Sequence, residues 1–213
     1  GCVMYGYSTT IPVTLDDMVR HTQAARAGCK EALLVADLPF GSYQSSVEQA
    51  VDSAVRLVKA GAAAVKLEGT YVEAIAAIVR AGIPVMGHVG MTPQSYHGLG
   101  GHRVQGRQDH GQAILAEATA IQEAGAFAIV LELIEGVATK SITNGLAIPT
   151  IGIGSGVDCD GQVQVFHDLL GLSVPHFKHA KRYLEAGELM GRAIATYVSE
   201  VRERSFPGPE NTF

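Results

Sequence analysis

A single α/β domain of parallel strands alternating with helices, of the TIM-type (βα)8 barrel kind, is the fold class this sequence predicts, and three observations predict it. Four short apolar runs each close on ionisable residues: Leu33-Leu34-Val35-Ala36-Asp37, Ala62-Ala63-Ala64-Val65-Lys66-Leu67-Glu68-Gly69, Pro84-Val85-Met86-Gly87-His88 and Ala128-Ile129-Val130-Leu131-Glu132. Continuous apolar runs suit strands buried on both faces. Helical patterns lie between them, so the chain reads strand, helix, strand, helix. Many of the 25 glycines fall at the ends of the runs or between Gly87 and Gly111, as barrel loops that approach a ligand require. In such a barrel every strand delivers its C-terminal end to one rim, which would gather Asp37, Glu68, His88 and Glu132 around one pocket. Lys66 and Glu68, two apart on a strand, share a side, with Leu67 opposite.

Taken in order, residues 1 to 13 read as a loop, and Thr14 caps a helix that runs through Leu15, Met18 and Val19 to Gly28. A barrel places a strand before that helix, so the barrel is expected to be incomplete at its N-terminus. After the Asp37 strand, Pro39 removes a ladder donor and forces a loop. Ser45 or Ser46 then caps a helix with Val47, Ala50, Val51, Ala54, Leu57 and Val58 on one face, ended by Gly61. The Lys66 and Glu68 strand is followed by a helix over 71–80. Residues 90–107 form the longest irregular segment; it contains His97 and His102, and a lid and a surface loop are equally good readings of it. A helix over 110–124 precedes the Glu132 strand, and one over 136–144 leads to Thr150-Ile151-Gly152-Ile153-Gly154-Ser155-Gly156, whose backbone amides could meet an anion. Residues 162–166 read as a last strand with His167 and Asp168 at its end, and 178–204 as helical.

With 213 residues, the chain is read as one domain over 1–213, a barrel with C-terminal helices. The net charge is −5 and the basic residues are scattered, which argues against a nucleic-acid or anionic-membrane surface. No apolar run approaches the roughly 20 residues that cross a bilayer, and the start has no basic leader, so a cytoplasmic location is expected. Cys2, Cys29 and Cys159 lie at wide spacings that support neither a disulfide framework nor a zinc site.

Asp37 and Glu68 at neighbouring strand ends suit a hard divalent cation such as Mg²⁺, which takes one or two carboxylates plus substrate and water. Glu132 is then left for general-base work, and the set fits proton abstraction beside the carbonyl of a 2-oxo acid. Lys66 would neutralise developing negative charge. A Schiff-base use of Lys66 is the rival, disfavoured by Glu68, because a nearby carboxylate favours the ammonium form.

Val35-Ala36-Asp37-Leu38-Pro39-Phe40, Val65-Lys66-Leu67-Glu68-Gly69, Gly87-His88-Val89-Gly90-Met91-Thr92-Pro93-Gln94-Ser95, Val104-Gln105-Gly106-Arg107 and Asp160-Gly161-Gln162 together resemble the ketopantoate hydroxymethyltransferase family, as do Val130-Leu131-Glu132 and the Ile151 to Gly156 stretch. The resemblance implies a Mg²⁺-dependent barrel enzyme of pantothenate biosynthesis that moves the one-carbon unit of 5,10-methylenetetrahydrofolate onto 3-methyl-2-oxobutanoate, giving 2-dehydropantoate. It implies Asp37 and Glu68 as metal ligands, Asp37, Lys66 and His88 as substrate contacts, and Glu132 as proton acceptor. It also implies a homo-oligomer of pentameric rings or a decamer. The family pattern has two strands before the segment matching residue 1, the second ending in an Asp-Ser pair with no match here; Asp16 and Asp17 sit in the next helix and do not replace it. The rival readings are a related metal-dependent 2-oxo acid barrel lyase and a catalytically inactive truncated homologue.

Overall fold

The computed structural model describes residues 1–107, 110–173 and 176–213. The chain divides into two units, Gly1–Val163 and Gln164–Phe213.

Among the described residues the first unit carries six parallel strands: β1 (Val35–Asp37), β2 (Ala64–Lys66), β3 (Val85–Gly90), β4 (Ala128–Glu132), β5 (Thr150–Ile153) and β6 (Gly161–Gln162). They pair in the order in which they occur, β1 to β6. A doubly wound sheet reverses its strand order at a switch point, whereas unbroken sequential order is the winding of a barrel. The helices are α1 (Cys2–Tyr5), α2 (Leu15–Gly28), α3 (Val47–Lys59), α4 (Val72–Arg80), α5 (Tyr96–Leu99), α6 (His110–Glu123) and α7 (Gly136–Gly145). α1 is a short helix within a stretch expected to be loop. α2 starts where Thr14 accepts the Asp17 N–H at 3.1 Å while Asp17 Oδ2 accepts the Thr14 N–H at 3.0 Å. α3 starts where Ser46 accepts from Gln49.

The period of two along each strand sorts its side chains. Ala36, Val65, Leu67, Val85, Val89, Ile129 and Leu131 are buried in the core with Ala50, Ala54 and Leu57 of α3, Ile75 and Ile78 of α4, and Ala118 and Ile121 of α6. Burial of that order, at ~25 cal/mol per Å² of apolar surface, is the main force holding helices to sheet. Gly87 alternates with these residues, and a Cβ there would collide with Ile121, so glycine lets α6 approach β3. The opposite set, Val35 and Asp37, Lys66 and Glu68, Met86 and His88, Val130 and Glu132, Ile151 and Ile153, lines a cavity.

The expected strand over 162–166 is a correction. β6 ends at Gln162, and after one further main-chain bond, Val163 N–H to Gly152 O, the Val165 carbonyl accepts from Asp168 and Leu169. That closes a helical turn. Phe166, His167 and Asp168 therefore belong to α8 (Phe166–Leu169) in the second unit. Val163, Val165 and Phe166 are exposed, and among the described residues their alternation meets no further strand to bury against.

The second unit holds α8 and α9 (Ala186–Glu203). Helix was expected from 178. Instead the Tyr183 and Ala186 N–H groups donate to Leu169 and Leu170, each at 2.9 Å, which diverts them from a helical ladder until Ala186. α9 leaves Leu189, Met190, Ile194, Tyr197 and Val198 exposed. Among the described residues no helix is long and apolar enough to cross a membrane.

Candidate active site

The cavity encloses about 720 Å³ on the inner face of the sheet. All five residues singled out at strand ends, Asp37, Lys66, Glu68, His88 and Glu132, line it, with Gly1, Thr10 and Val13 from the N-terminal segment. The parallel register sets Asp37 beside Lys66 and carries His88 beside Val130, so the strand ends step round the wall. Four of the polar side chains form a row across β1 to β4. Lys66 Nζ lies 3.2 Å from Asp37 Oδ1 and 3.3 Å from His88 Nδ1, and His88 Nε2 lies 3.2 Å from Glu132 Oε2.

The protonation states follow from burial and neighbours. Burial pulls the Lys66 ammonium down, but Asp37, then Glu68 and Glu132, outweigh it and the net direction is up. Lys66 is therefore an ammonium, not the amine that a Schiff base needs. Burial first, then the Lys66 charge, lowers His88 to about 4, so its ring is neutral at pH 7. An ammonium only donates, so Nδ1 accepts from Lys66 and the ring proton sits on Nε2, facing Glu132. That contact lacks the alignment of a hydrogen bond. Burial raises the Glu68 carboxyl, opposed by His88 and Lys66, and Asp37 adds to the rise.

Two residues outside the predicted set hold this wall. The Gln94 backbone N–H donates to Glu68 Oε2 at 2.8 Å, and its side-chain Nε2 donates to Leu38 O at 2.8 Å. Its Oε1 accepts from the buried Tyr43 hydroxyl at 2.7 Å, and that hydroxyl accepts the Glu68 N–H at 3.2 Å. Gln94 thus ties the ends of β1 and β2 together. The segment 90–107 places only Pro93 and Gln94 on the cavity; His97 and His102 instead pack against the Tyr96 ring. Asp16 pairs with Arg56 and Asp17 caps α2, both off the cavity.

Two carboxylates on this wall, Asp37 and Glu68, are oxygen donors that could hold a metal. Asp37 adds to the cost of the Glu68 charge, a repulsion that a bound cation would relieve, and hard oxygen donors of this kind fit Mg²⁺. Among the described residues no group of three His, Cys, Asp or Glu stands as a metal cluster.

Parallel strands wound in sequence, with charged strand ends facing one pocket, define an α/β-barrel enzyme. Known structures bear out the fold. Phosphonopyruvate hydrolase superposes with a TM-score of 0.58 at 13% identity, covering 98% of this chain and 76% of its own. A 2,3-dimethylmalate lyase of the PEP mutase/isocitrate lyase superfamily does so with a TM-score of 0.53 at 18% identity, covering 97% and 72%. The sequence narrows the class. Residues 1–209 match the ketopantoate hydroxymethyltransferase family. The 3-methyl-2-oxobutanoate hydroxymethyltransferase of Moorella thermoacetica is 53% identical over 219 residues, covering 100% of this chain and 81% of that protein. Those of Chloroflexus aurantiacus (strain J-10-fl) and Saccharopolyspora erythraea are 52% and 49% identical, with 100% and 99% of this chain and 76% and 73% of theirs covered. The chain belongs to the ketopantoate hydroxymethyltransferase family and is a transferase.

Proposed function

We propose that this chain transfers the one-carbon unit of 5,10-methylenetetrahydrofolate to C3 of 3-methyl-2-oxobutanoate, giving 2-dehydropantoate for pantothenate synthesis. The carrying observation is the unbroken row Asp37, Lys66, His88, Glu132, which sets a cation between a metal-binding wall and a carboxylate base. Asp37 and Glu68 hold Mg²⁺, which when bound supplies Lewis-acid polarisation of the 2-oxo carbonyl. Lys66 binds the acid and stabilises the negative charge that develops on its oxygens. Glu132 takes the C3 proton onto its carboxylate. His88, neutral and held from one side by Lys66, sets its Nε2–H 3.2 Å from the Glu132 carboxylate. The C3 carbanion then bonds to the folate-borne carbon, whose two C–N bonds break; water supplies the hydroxyl, and the C3 proton and one proton of that water end on the two nitrogens of the departing tetrahydrofolate. The same reading includes a cytoplasmic location and a homo-oligomer of pentameric rings, for which the exposed apolar side chains of α9 are suitable surface.

The test is deuterium exchange at C3 of 3-methyl-2-oxobutanoate in D₂O, followed by NMR without folate. Mg²⁺-dependent exchange is expected, and Glu132→Gln should lower it by about 10²- to 10⁴-fold. Exchange at the wild-type rate in Glu132→Gln removes Glu132 as the base; no exchange in the wild type overturns the mechanism.

A further inference from the structure

We infer that Ser155 is a positioning residue for Glu132, its hydroxyl clamping the backbone on both sides of the residue that follows the base. The inference rests on the reading of Glu132 as proton acceptor. Leu133, directly after Glu132, has φ +49°. A bulky residue adopts this left-handed conformation at a cost, and it persists where the surroundings over-determine it. Among the described residues the one other non-glycine with positive φ is Arg204, at the C-terminal cap of α9.

The surroundings of Leu133 are specific. Its N–H donates to Ile153 O at 2.9 Å and its carbonyl accepts from Gln105 N–H at 2.7 Å. The Glu132 carbonyl accepts from Met91 N–H at 2.8 Å. Ser155, 1% exposed, completes the clamp: Oγ donates to Leu131 O at 2.7 Å and accepts the Ile134 N–H at 3.0 Å. One hydroxyl thereby ties the residue before Glu132 to the second residue after it. Ser155 reaches this place because Gly154 and Gly156, both at positive φ, bracket it and turn the end of β5 toward β4. The glycine-rich stretch that suggested amides for an anion here presents a side chain to the neighbouring strand.

A left-handed residue ends the strand's alternation and fixes the direction in which Glu132 leaves the backbone. A displacement of the order of 1 Å at a reacting group costs about 10²-fold in rate, so the clamp bears on catalysis without touching substrate.

In the C3 exchange assay, Ser155→Ala is expected to lower the rate at saturating 2-oxo acid about ten-fold or more while leaving KM within about two-fold. Leu133→Gly added to Ser155→Ala should restore most of the loss, because glycine adopts positive φ unaided. A purely structural role for Ser155 would lower the melting temperature and the active fraction with no rescue at Leu133. Should Ser155→Ala fail to fold, Leu133→Val with Ser155 intact carries the same expected loss, a β-branched residue being the least suited to this conformation. Wild-type rates in Ser155→Ala or Leu133→Val, or loss without rescue by Leu133→Gly, overturn the inference. Glu132→Gln at the wild-type rate removes the base and the clamp's purpose together; an inactive Glu132→Gln beside an unimpaired Ser155→Ala overturns the clamp alone.

Discussion

His88 holds the middle of the polar row only because it is neutral. Its folded value of about 4 lies below the roughly 6.5 of an unfolded histidine, so between those values the unfolded chain binds a proton that the native one refuses. The associated stability is present above about pH 6.5 and is lost as pH falls toward 4, a change on the order of 3 kcal/mol. Denaturant unfolding at pH 7 and pH 4.5 should show a larger loss for the wild type than for His88→Gln. Glu68, shifted upward by burial, contributes the opposite slope, so the wild-type loss is read against that of His88→Gln rather than alone. Asp37, Lys66, Glu68, His88 and Glu132 were legible as a converging set because each ends or nearly ends an apolar run, and run ends meet at one rim. Tyr43 and Gln94 were not legible. Their hydrogen bond joins residues 51 apart on two loops, a distance across which no local pattern extends.

At the scale of elements, caps carried the sequence signal and pairing partners did not. Thr14 with Asp17, and Ser46 with Gln49, are local pairs, and α2 and α3 begin where those pairs place them. Thr14→Ala should cost about 1 kcal/mol in denaturant unfolding. The last strand was misread because the alternation of Val163 and Val165 is equally visible whether or not a further strand lies alongside. The loop after β3 is the element that braces the site. Gln94→Leu strips the buried Leu38 carbonyl of its donor and the Tyr43 hydroxyl of its nearest acceptor, and should cost about 1–3 kcal/mol by the same measurement. It should also weaken the proposed Mg²⁺ binding, because the loop whose backbone N–H holds Glu68 Oε2 loses its side-chain anchors to Leu38 and Tyr43.

For the whole molecule, sequential parallel order was readable from the alternation of runs and helices, since a right-handed crossover leaves each new strand beside the last. If Asp37, Glu68 and Lys66 bind Mg²⁺ and a 2-oxo acid in the native state only, the two together should stabilise the protein by about 2.7 kcal/mol at a hundred times the dissociation constant. A rise in melting temperature with both, absent with either alone in Asp37→Ala, checks this.

The cavity wall changes character along the sheet: β2 and the residues just past it contribute only ions to it, Lys66 and Glu68, and β5 only hydrocarbon, Ile151 and Ile153. On the proposed reaction, 3-methyl-2-oxobutanoate brings two chemically identical methyl groups on C3, and a planar enolate held against so uneven a wall would offer only one face to the incoming carbon. The proposed enzyme would then tell the twins apart. With ¹³C in a single methyl of known geometry, all the label should emerge in one of the two prochiral positions of the product, a chirality invisible in the unlabelled molecule.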